Sequence, residues 1–355
     1  MLIKHTQRKK KKRMSKYLQN LLSKINNPDA SIVADGIDGA DVTGFIDTGS
    51  YVLNALLSGS IYGGLPNNKI SCLAGDPATG KTFYAIGMAT QFLKDHKDGL
   101  VMYFDTEQAV TSDMFESRGI DTKRIAVIPV ATIEEFRTQA LQIVNEINET
   151  PEEERKPIFM VLDSLGMLST KKEMSDTAEG KDVRDMTKAQ VTKGAFRVLT
   201  IKLGKAKIPL LLTNHTYQVI GSYVPTKDLS GGVGLKYAAS NIIMLSKSKD
   251  KTDEGVVGNF IKCTNYKNRF VKENMHVETR LNYTSGLSRY YGLTEFAIKY
   301  GIFKKVSTRV ELPDGSKVFE KNIDDEPEKY FTKDILDKLD AQIQKEFKYG
   351  KGSEV

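Results

Sequence analysis

Lys69-Ile70-Ser71-Cys72-Leu73-Ala74-Gly75-Asp76-Pro77-Ala78-Thr79-Gly80-Lys81-Thr82 decides the fold of this 355-residue chain. The first half is a short apolar, β-rich run. The second half matches the pattern GxxxxGK[ST] in full and opens directly into a helical pattern at 81–95. A position between strand and helix separates a phosphate-binding loop from a chance match. Glycines let backbone N–H groups curl around phosphate oxygens, and the helix N-terminus adds the positive end of its dipole. Gly75, Asp76, Pro77, Ala78, Thr79, Gly80, Lys81 and Thr82, with Phe83 after them, are the candidate nucleotide-binding residues. Lys81 would bring a point charge to the β- and γ-phosphates of ATP, and the Thr82 hydroxyl would be a ligand of Mg2+.

Outward from this loop, short apolar runs at 100–105, 124–130, 157–163 and 208–214 alternate with helical patterns at 112–118, 132–148 and 185–205. Strands alternating with helices predict an α/β fold with a largely parallel sheet covered on both faces. After residue 239 the strands become consecutive, at 240–246, 256–266 and 275–283, and extend the same sheet through hairpins. Upstream, Tyr17, Leu18, Leu21, Leu22 and Ile25 recur at helical spacing, a Gly- and Asp-rich linker covers 29–45, and a second helix begins at Tyr51. The last stretch carries a helix at 293–300, a segment at 306–320 turned back at Pro313-Asp314-Gly315, and a helix at 332–347. Three parts are expected: 1–45 as tail, helix and linker; 46–289 as the core; and 290–355 as a small α+β domain.

Two other strand ends carry carboxylates. Ile158–Leu162 ends in Asp163, placed to hold Mg2+ through water. Leu100–Phe104 ends in Asp105-Thr106-Glu107, where Glu107 would reach the sheet edge that carries Lys81 and orient an attacking water. The formal charge is +7. Residues 1–13 hold Lys4, Arg8, Lys9, Lys10, Lys11, Lys12 and Arg13 and no acid, so this tail accounts for the whole excess and residues 14–355 are balanced. The run is either an electrostatic arm for nucleic acid or lies upstream of a true start at Met14. DNA binding by the folded part has to come from local patches. Cys72 and Cys263 sit in apolar strand-like runs, where small buried thiols are expected. No run approaches the ~20 apolar residues of a membrane-spanning helix, and no signal-like segment opens the chain. A cytoplasmic protein without a membrane partner is expected.

The arrangement resembles the RecA recombinase family over nearly the whole chain. Ile46-Asp47-Thr48-Gly49-Ser50 and Gly63-Gly64-Leu65-Pro66 look like its lead-in, Phe104-Asp105-Thr106-Glu107 like its catalytic-glutamate segment, and Val161-Leu162-Asp163-Ser164-Leu165 like its Walker B strand. Pro209–Thr213 followed by Asn214-His215-Thr216 is similar to the strand that senses the γ-phosphate. Asn-His-Thr-Tyr there, with Asp163-Ser164-Leu165-Gly166 and Lys171-Lys172-Glu173, points to the phage UvsX branch. From the residues themselves, an imidazole at the end of a central strand can hydrogen-bond a phosphate oxygen and report which nucleotide is bound.

The resemblance implies two DNA-binding segments. Met167–Arg184, with Lys171, Lys172, Lys181 and Arg184, matches the first by position. Tyr217–Ser230, with Tyr217, Tyr223 and Lys227 and then Gly231 and Gly232, resembles the second; loops this long inside a compact domain are uncommon unless functional. It also implies that Lys267 and Arg269 reach the ATP of a neighbouring protomer, and that Met114, beside Phe115, takes the place where many relatives stack an aromatic on adenine. An ATP-dependent recombinase is therefore expected, assembling as helical filaments on single-stranded DNA and pairing it with a homologous duplex. A single-strand-binding protein and a loading mediator would be its partners in the cytoplasm of a host cell. A ring helicase on the same core and an ATP-gated DNA-binding protein are the competing readings.

Overall fold

The computed structural model describes residues 16–25, 27, 29–181, 186–218, 227–230, 232–252 and 255–350. The basic run 1–13, and with it the choice between arm and start, lies outside these residues. A short antiparallel pair, β1 (Phe45–Ile46) and β2 (Leu65–Pro66), precedes the main sheet. The main sheet is built from β3 (Ile70–Gly75), β4 (Leu100–Asp105), β5 (Ile125–Pro129), β6 (Ile158–Asp163), β7 (Leu210–Gln218), β8 (Lys227–Leu229), β9 (Asn241–Thr252), β10 (Gly255–Asn268), β11 (His276–Asn282) and β12 (Gly286–Leu287). Their order is β12-β11-β10-β9-β3-β7-β6-β4-β5, with β8 paired to the end of β7. All neighbours from β9 to β5 run parallel, and β9 to β12 follow as antiparallel hairpins. The expected parallel sheet with an antiparallel extension is the observed one.

The helices are α1 (Lys16–Lys24), α2 (Tyr51–Ser58), α3 (Lys81–Asp95), α4 (Ser112–Glu116), α5 (Ile133–Glu149), α6 (Lys171–Ala178), α7 (Lys188–Ala206) and α8 (Val233–Ala238), followed by four more up to Lys333–Phe347. Strand alternation divides the core between the two faces of the sheet. Leu73, Tyr103, Phe159, Val161, Leu211 and Ile243 face α2, α3 and the last helix, where Leu339, Ile343 and Phe347 join the same buried cluster. Cys72, Phe104, Met160, Leu162 and Leu212 face the other way, against Phe136 and Val144 of α5 and Phe196 and Leu199 of α7. Helix α2 is buried along its entire length, so it is a core helix rather than an amphipathic one. Both cysteines are buried free thiols, as expected, and burial pushes each up to about 12. Among the described residues no helix is long and apolar enough to cross a membrane.

Three expectations need correction. The segment 167–184, matched by position to the first DNA-binding segment, is not loop throughout: residues 171–178 form α6, started by a capping box in which Thr170 accepts from the Glu173 N–H and Glu173 reaches back to the Thr170 N–H. The segment 217–230 is not structureless throughout, because Tyr217 and Gln218 continue β7 and Lys227–Leu229 pairs with it antiparallel. The strand expected at 240–246 runs on to Thr252 as one arm of a long hairpin.

A partly buried ion pair ties the lead-in to the far edge of the sheet. Arg289 donates to Asp47 at 2.8 Å, and its guanidinium lies 4.2 Å from the Tyr51 ring centroid. Burial alone would raise the Asp47 carboxyl, but hydrogen bonds from Arg289, Asn54 and the Gly49 N–H outweigh it and hold the group below its ordinary 3.8. A depressed folded-state pKa gives stability that is present above the unfolded value and lost as pH falls through the folded one. Asp47→Asn is expected to lower the urea midpoint at neutral pH, and the gap from wild type should close below about pH 4; a gap independent of pH would remove the carboxylate from the account.

Candidate nucleotide-binding site

The parallel registers bring four strand ends to one edge. Gly75 pairs with His215, and Asp105 with Asp163, while β6 and β7 lie side by side between them. Gly75 has no room for a side chain: a Cβ there would meet the Leu245 carbonyl at 2.7 Å and the Thr79 hydroxyl at 2.9 Å. Gly80 caps α3 at φ 88°, a left-handed backbone that favours glycine. Between them the loop curls over its own lysine. Lys81 is buried, and its Nζ donates to the carbonyls of Gly75 at 3.1 Å and Asp76 at 2.9 Å. Burial lowers its pKa, and the nearby Asp163, Glu107 and Asp76 pull it back up.

Glu107 is aimed by its own turn. Asp105 accepts from the Glu107 N–H at 3.0 Å and from the Val110 N–H at 3.2 Å. Thr106 locks that turn to the neighbouring strand end, since its N–H donates to the Asp163 carbonyl at 2.9 Å and its hydroxyl accepts from the Ser164 N–H at 2.8 Å. The Glu107 carboxylate then accepts from the Ser164 hydroxyl at 3.1 Å and stands 3.5 Å from His215 Nε2. Ser164 Oγ is also 3.4 Å from that nitrogen. Gly166 leaves space for the ring, because a Cβ there would lie 3.0 Å from His215 Cδ2. Both Asp163 oxygens are engaged, one by the Tyr103 hydroxyl at 2.7 Å and the other by the Thr213 hydroxyl.

These groups line one cavity of ≈ 420 Å³, shared by Pro77, Ala78, Gly80, Lys81, Thr82, Phe83, Glu107, Asp163, Ser164 and His215. A second cleft of ≈ 750 Å³ shares Phe83 and Tyr283 with it and is walled by Met114 and Arg118. Met114 faces that cleft, whereas Phe115 is buried against Tyr103 in the core. The Arg118 guanidinium lies 5.6 Å from the Phe83 ring centroid. The first cavity, which brings Lys81, Thr82, Glu107 and Asp163 together, suits a phosphate chain, and the adjoining cleft beside Phe83 and Met114 suits a base plane.

The other sequence-selected residues lie elsewhere. Lys267 and Arg269 do not reach this cavity. Lys267 Nζ donates to the carbonyls of Lys236 and, at 2.7 Å, of Ala239, and Arg269 donates to that of Tyr237 at 3.1 Å, so both sit on the C-terminal carbonyls of α8. Lys171 and Lys172 are exposed at the start of α6. Lys181 pairs with Glu179 at 2.5 Å. Tyr217 is exposed at the end of β7, and Gly232, at φ 73°, leads into α8. Lys227 is not free: it pairs with Asp76 of the phosphate loop at 2.5 Å, beside the Thr216 hydroxyl, which donates to the other Asp76 oxygen at 2.8 Å. Those two bonds hold the Asp76 carboxyl below its ordinary range. Arg184, Tyr223 and Gly231 lie outside the described residues. Sequence reasoning passed over Ser164, Thr216, Arg118 and Lys247 as site residues; of these, only Ser164, next to the strand-end Asp163, carried a local signal.

The chain is 29% identical over 254 residues to the recombination and repair protein of Enterobacteria phage T4, an alignment covering 72% of this chain and 63% of that protein. It thus spans less than two thirds of that relative. It is 26% identical over 279 residues to the protein RecA of Paenarthrobacter aurescens, covering 78% of this chain and 76% of that one. Against the protein RecA of Bartonella bacilliformis it is 30% identical over 268 residues, or 73% and 71% of the two chains. The RecA N-terminal domain model matches residues 16–288, which takes in every strand of the main sheet and every group lining the phosphate cavity; the chain belongs to the RecA family.

Proposed function

We propose that this protein is an ATP-dependent DNA recombinase, which coats single-stranded DNA as a helical filament, pairs it with a homologous duplex and exchanges strands. One observation carries the reading. Glu107, Ser164 and His215 form a chain of contacts from the phosphate cavity to β7, and β7 runs directly into the segment that resembles the second DNA-binding loop. Asn214 and His215 also anchor the return of that segment, through the Ser230 carbonyl at 2.7 Å and the Ser230 N–H at 3.0 Å. A change of nucleotide at the cavity can therefore bias the posture of the loop, the arrangement a DNA-gated ATPase needs.

In this reading Lys81 and the loop N–H groups hold the triphosphate, Met114 and Phe83 flank the base, and Glu107 orients water for attack on the γ-phosphate. The residues fit Mg2+: Thr82 lines the cavity, and Asp163, with both oxygens already accepting hydrogen bonds, would hold the ion through water. Bound there, Mg2+ would neutralise charge on the phosphate oxygens. His215 reports the γ-phosphate. Lys267 and Arg269, parked away from their own cavity, act on the nucleotide of the next protomer. Lys171, Lys172, Lys181, Arg184, Tyr217, Tyr223, Lys227, Gly231 and Gly232 belong to the DNA-facing segments.

The three-part division stands as a proposal: 46–289 as motor, 290–355 as an appendage, and 1–45 as the docking arm. Tyr17 and Leu21 on α1 are 72% and 42% exposed and Ile25, just past its end, 53%, which supports an apolar stripe for a neighbouring subunit. A single-strand-binding protein and a mediator complete the set of partners, in the cytoplasm of a host cell.

Electron microscopy with single-stranded DNA and a slowly hydrolysed ATP analogue tests the assembly, and a joint-molecule assay tests the exchange. Helical filaments and joint molecules are expected; closed rings would favour a helicase. The double variant Lys171→Ala/Lys172→Ala is expected to keep nucleotide binding and to lower the log–log salt slope of DNA affinity by about 1 for each phosphate no longer neutralised. An unchanged slope would take both lysines off the DNA.

A further inference from the structure

We propose that Lys247 is a second phosphate-binding lysine of the same subunit, acting beside Lys81; this rests on the nucleotide reading of the cavity. β3 is flanked by β7 on one side and β9 on the other, and the last register pair with β9 is Gly75 with Leu245. The Leu245 backbone passes so close to Gly75 that its carbonyl lies 2.7 Å from where a Cβ would stand. Lys247 is two residues further along, on the same face as Leu245 and beyond the end of the pairing, so the strand carries it over the phosphate loop. Its side chain lines the cavity together with Lys81, Thr82, Glu107 and His215.

The ammonium of Lys247 donates to the Ala78 carbonyl at 2.6 Å. Ala78 is a non-glycine residue at φ 59°, at the turn of the loop. Lys81 has a matching pose, with its ammonium on the carbonyls of Gly75 and Asp76. Two cations thus rest on neutral carbonyls around one loop, and among the described residues no carboxylate pairs with Lys247. A phosphate oxygen is the stronger acceptor, since a bond between two charged groups outweighs one to a neutral carbonyl. The exposed, flexible lysine stem can make that exchange with little added desolvation. The triphosphate carries about four negative charges, more than Lys81 can balance alone. Lys247 contributes binding that is the same in ground and transition states, which shows in KM rather than kcat.

Fluorescent-nucleotide titration and steady-state hydrolysis, on the full chain with DNA, test this in Lys247→Met, Lys247→Gln and Lys247→Arg. Lys247→Met is expected to raise Kd and KM together by about tenfold, with kcat within about twofold. Lys247→Arg, which keeps the charge, should stay near wild type. Lys247→Gln keeps a donor for Ala78 without the charge and should behave like the methionine variant. Wild-type affinity in Lys247→Gln would show that the residue works only by holding the Ala78 turn, and wild-type affinity in Lys247→Met would remove it altogether. Because the side chain is exposed, thermal melting should be unchanged and serves as the folding control. If wild type binds nucleotide and Lys81→Met does not, the site reading stands whatever Lys247 does. If wild type binds none, both readings fall together.

Discussion

Glu107→Gln is expected to lower ATP turnover by about 10²- to 10⁴-fold while nucleotide still binds. The amide is nearly isosteric and keeps an oxygen for the Ser164 hydroxyl, which now sits 3.1 Å from the carboxylate. The turn that aims residue 107 depends on Asp105 and Thr106, not on the Glu107 side chain, so the substitution leaves the geometry in place. What disappears is the carboxylate proposed to accept a proton from the attacking water. Lys81 and the loop proposed to hold the phosphates are untouched, and one negative charge lining the cavity is gone. Nucleotide affinity should therefore hold or tighten, and, if disassembly follows hydrolysis, filaments should persist on DNA. Single-turnover hydrolysis with nucleotide titration measures both at once. Turnover near wild type would remove Glu107 as the base, and a failure to bind would move its role to structure.

Much of this site was legible because it is written locally. The loop from Gly75 to Thr82 carries its own grammar, and Asp163 and Glu107 each close an apolar strand, so hydrophobic runs alone placed them at one sheet edge. Pairings across the chain were not legible. Lys227 meets Asp76 only because the end of β7 turns back as β8, and no periodicity announces a polar hairpin three residues wide. Ser164 joins Glu107 to His215 through a contact that exists only once β4, β6 and β7 lie in register. The apolar pattern of β9 stops near residue 246 because Lys247-Ser248-Lys249 lies beyond the covered sheet, where both faces meet water and alternation vanishes. That same stretch holds Lys247, so the signal that hid the strand end also hid a cavity residue. α6 escaped because its eight residues bury nothing, and a helix without an apolar stripe has no 3.6-residue signature beyond its capping box.

Mixing two inactive variants should restore hydrolysis. The parked positions of Lys267 and Arg269 on α8, away from the cavity of their own chain, underlie this expectation. If both reach the nucleotide of the next protomer, each working site takes its base from one chain and its cations from another. A Lys267→Ala/Arg269→Ala chain then has an intact Glu107 but fails its neighbour, and a Glu107→Gln chain has intact cations but no base. Filaments of the double variant alone should lose about 10³-fold or more, the scale on which a transition-state arginine acts, and those of Glu107→Gln about 10²- to 10⁴-fold. In an equal mixture assembled at random head to tail, a site is whole when an intact base meets an intact pair of cations, which happens at about one junction in four. Activity should rise to roughly a quarter of wild type and follow a parabola in the mixing ratio, with its maximum at equal parts. Were Lys267 and Arg269 instead to serve their own subunit, every chain in the mixture would carry a broken site and no ratio would recover activity. Nucleotide binding by the double variant, measured without DNA, supplies the control, since Lys81 and its loop are unaltered. A mixture that stays silent while both variants bind nucleotide and enter filaments would confine each ATP to the residues of one chain.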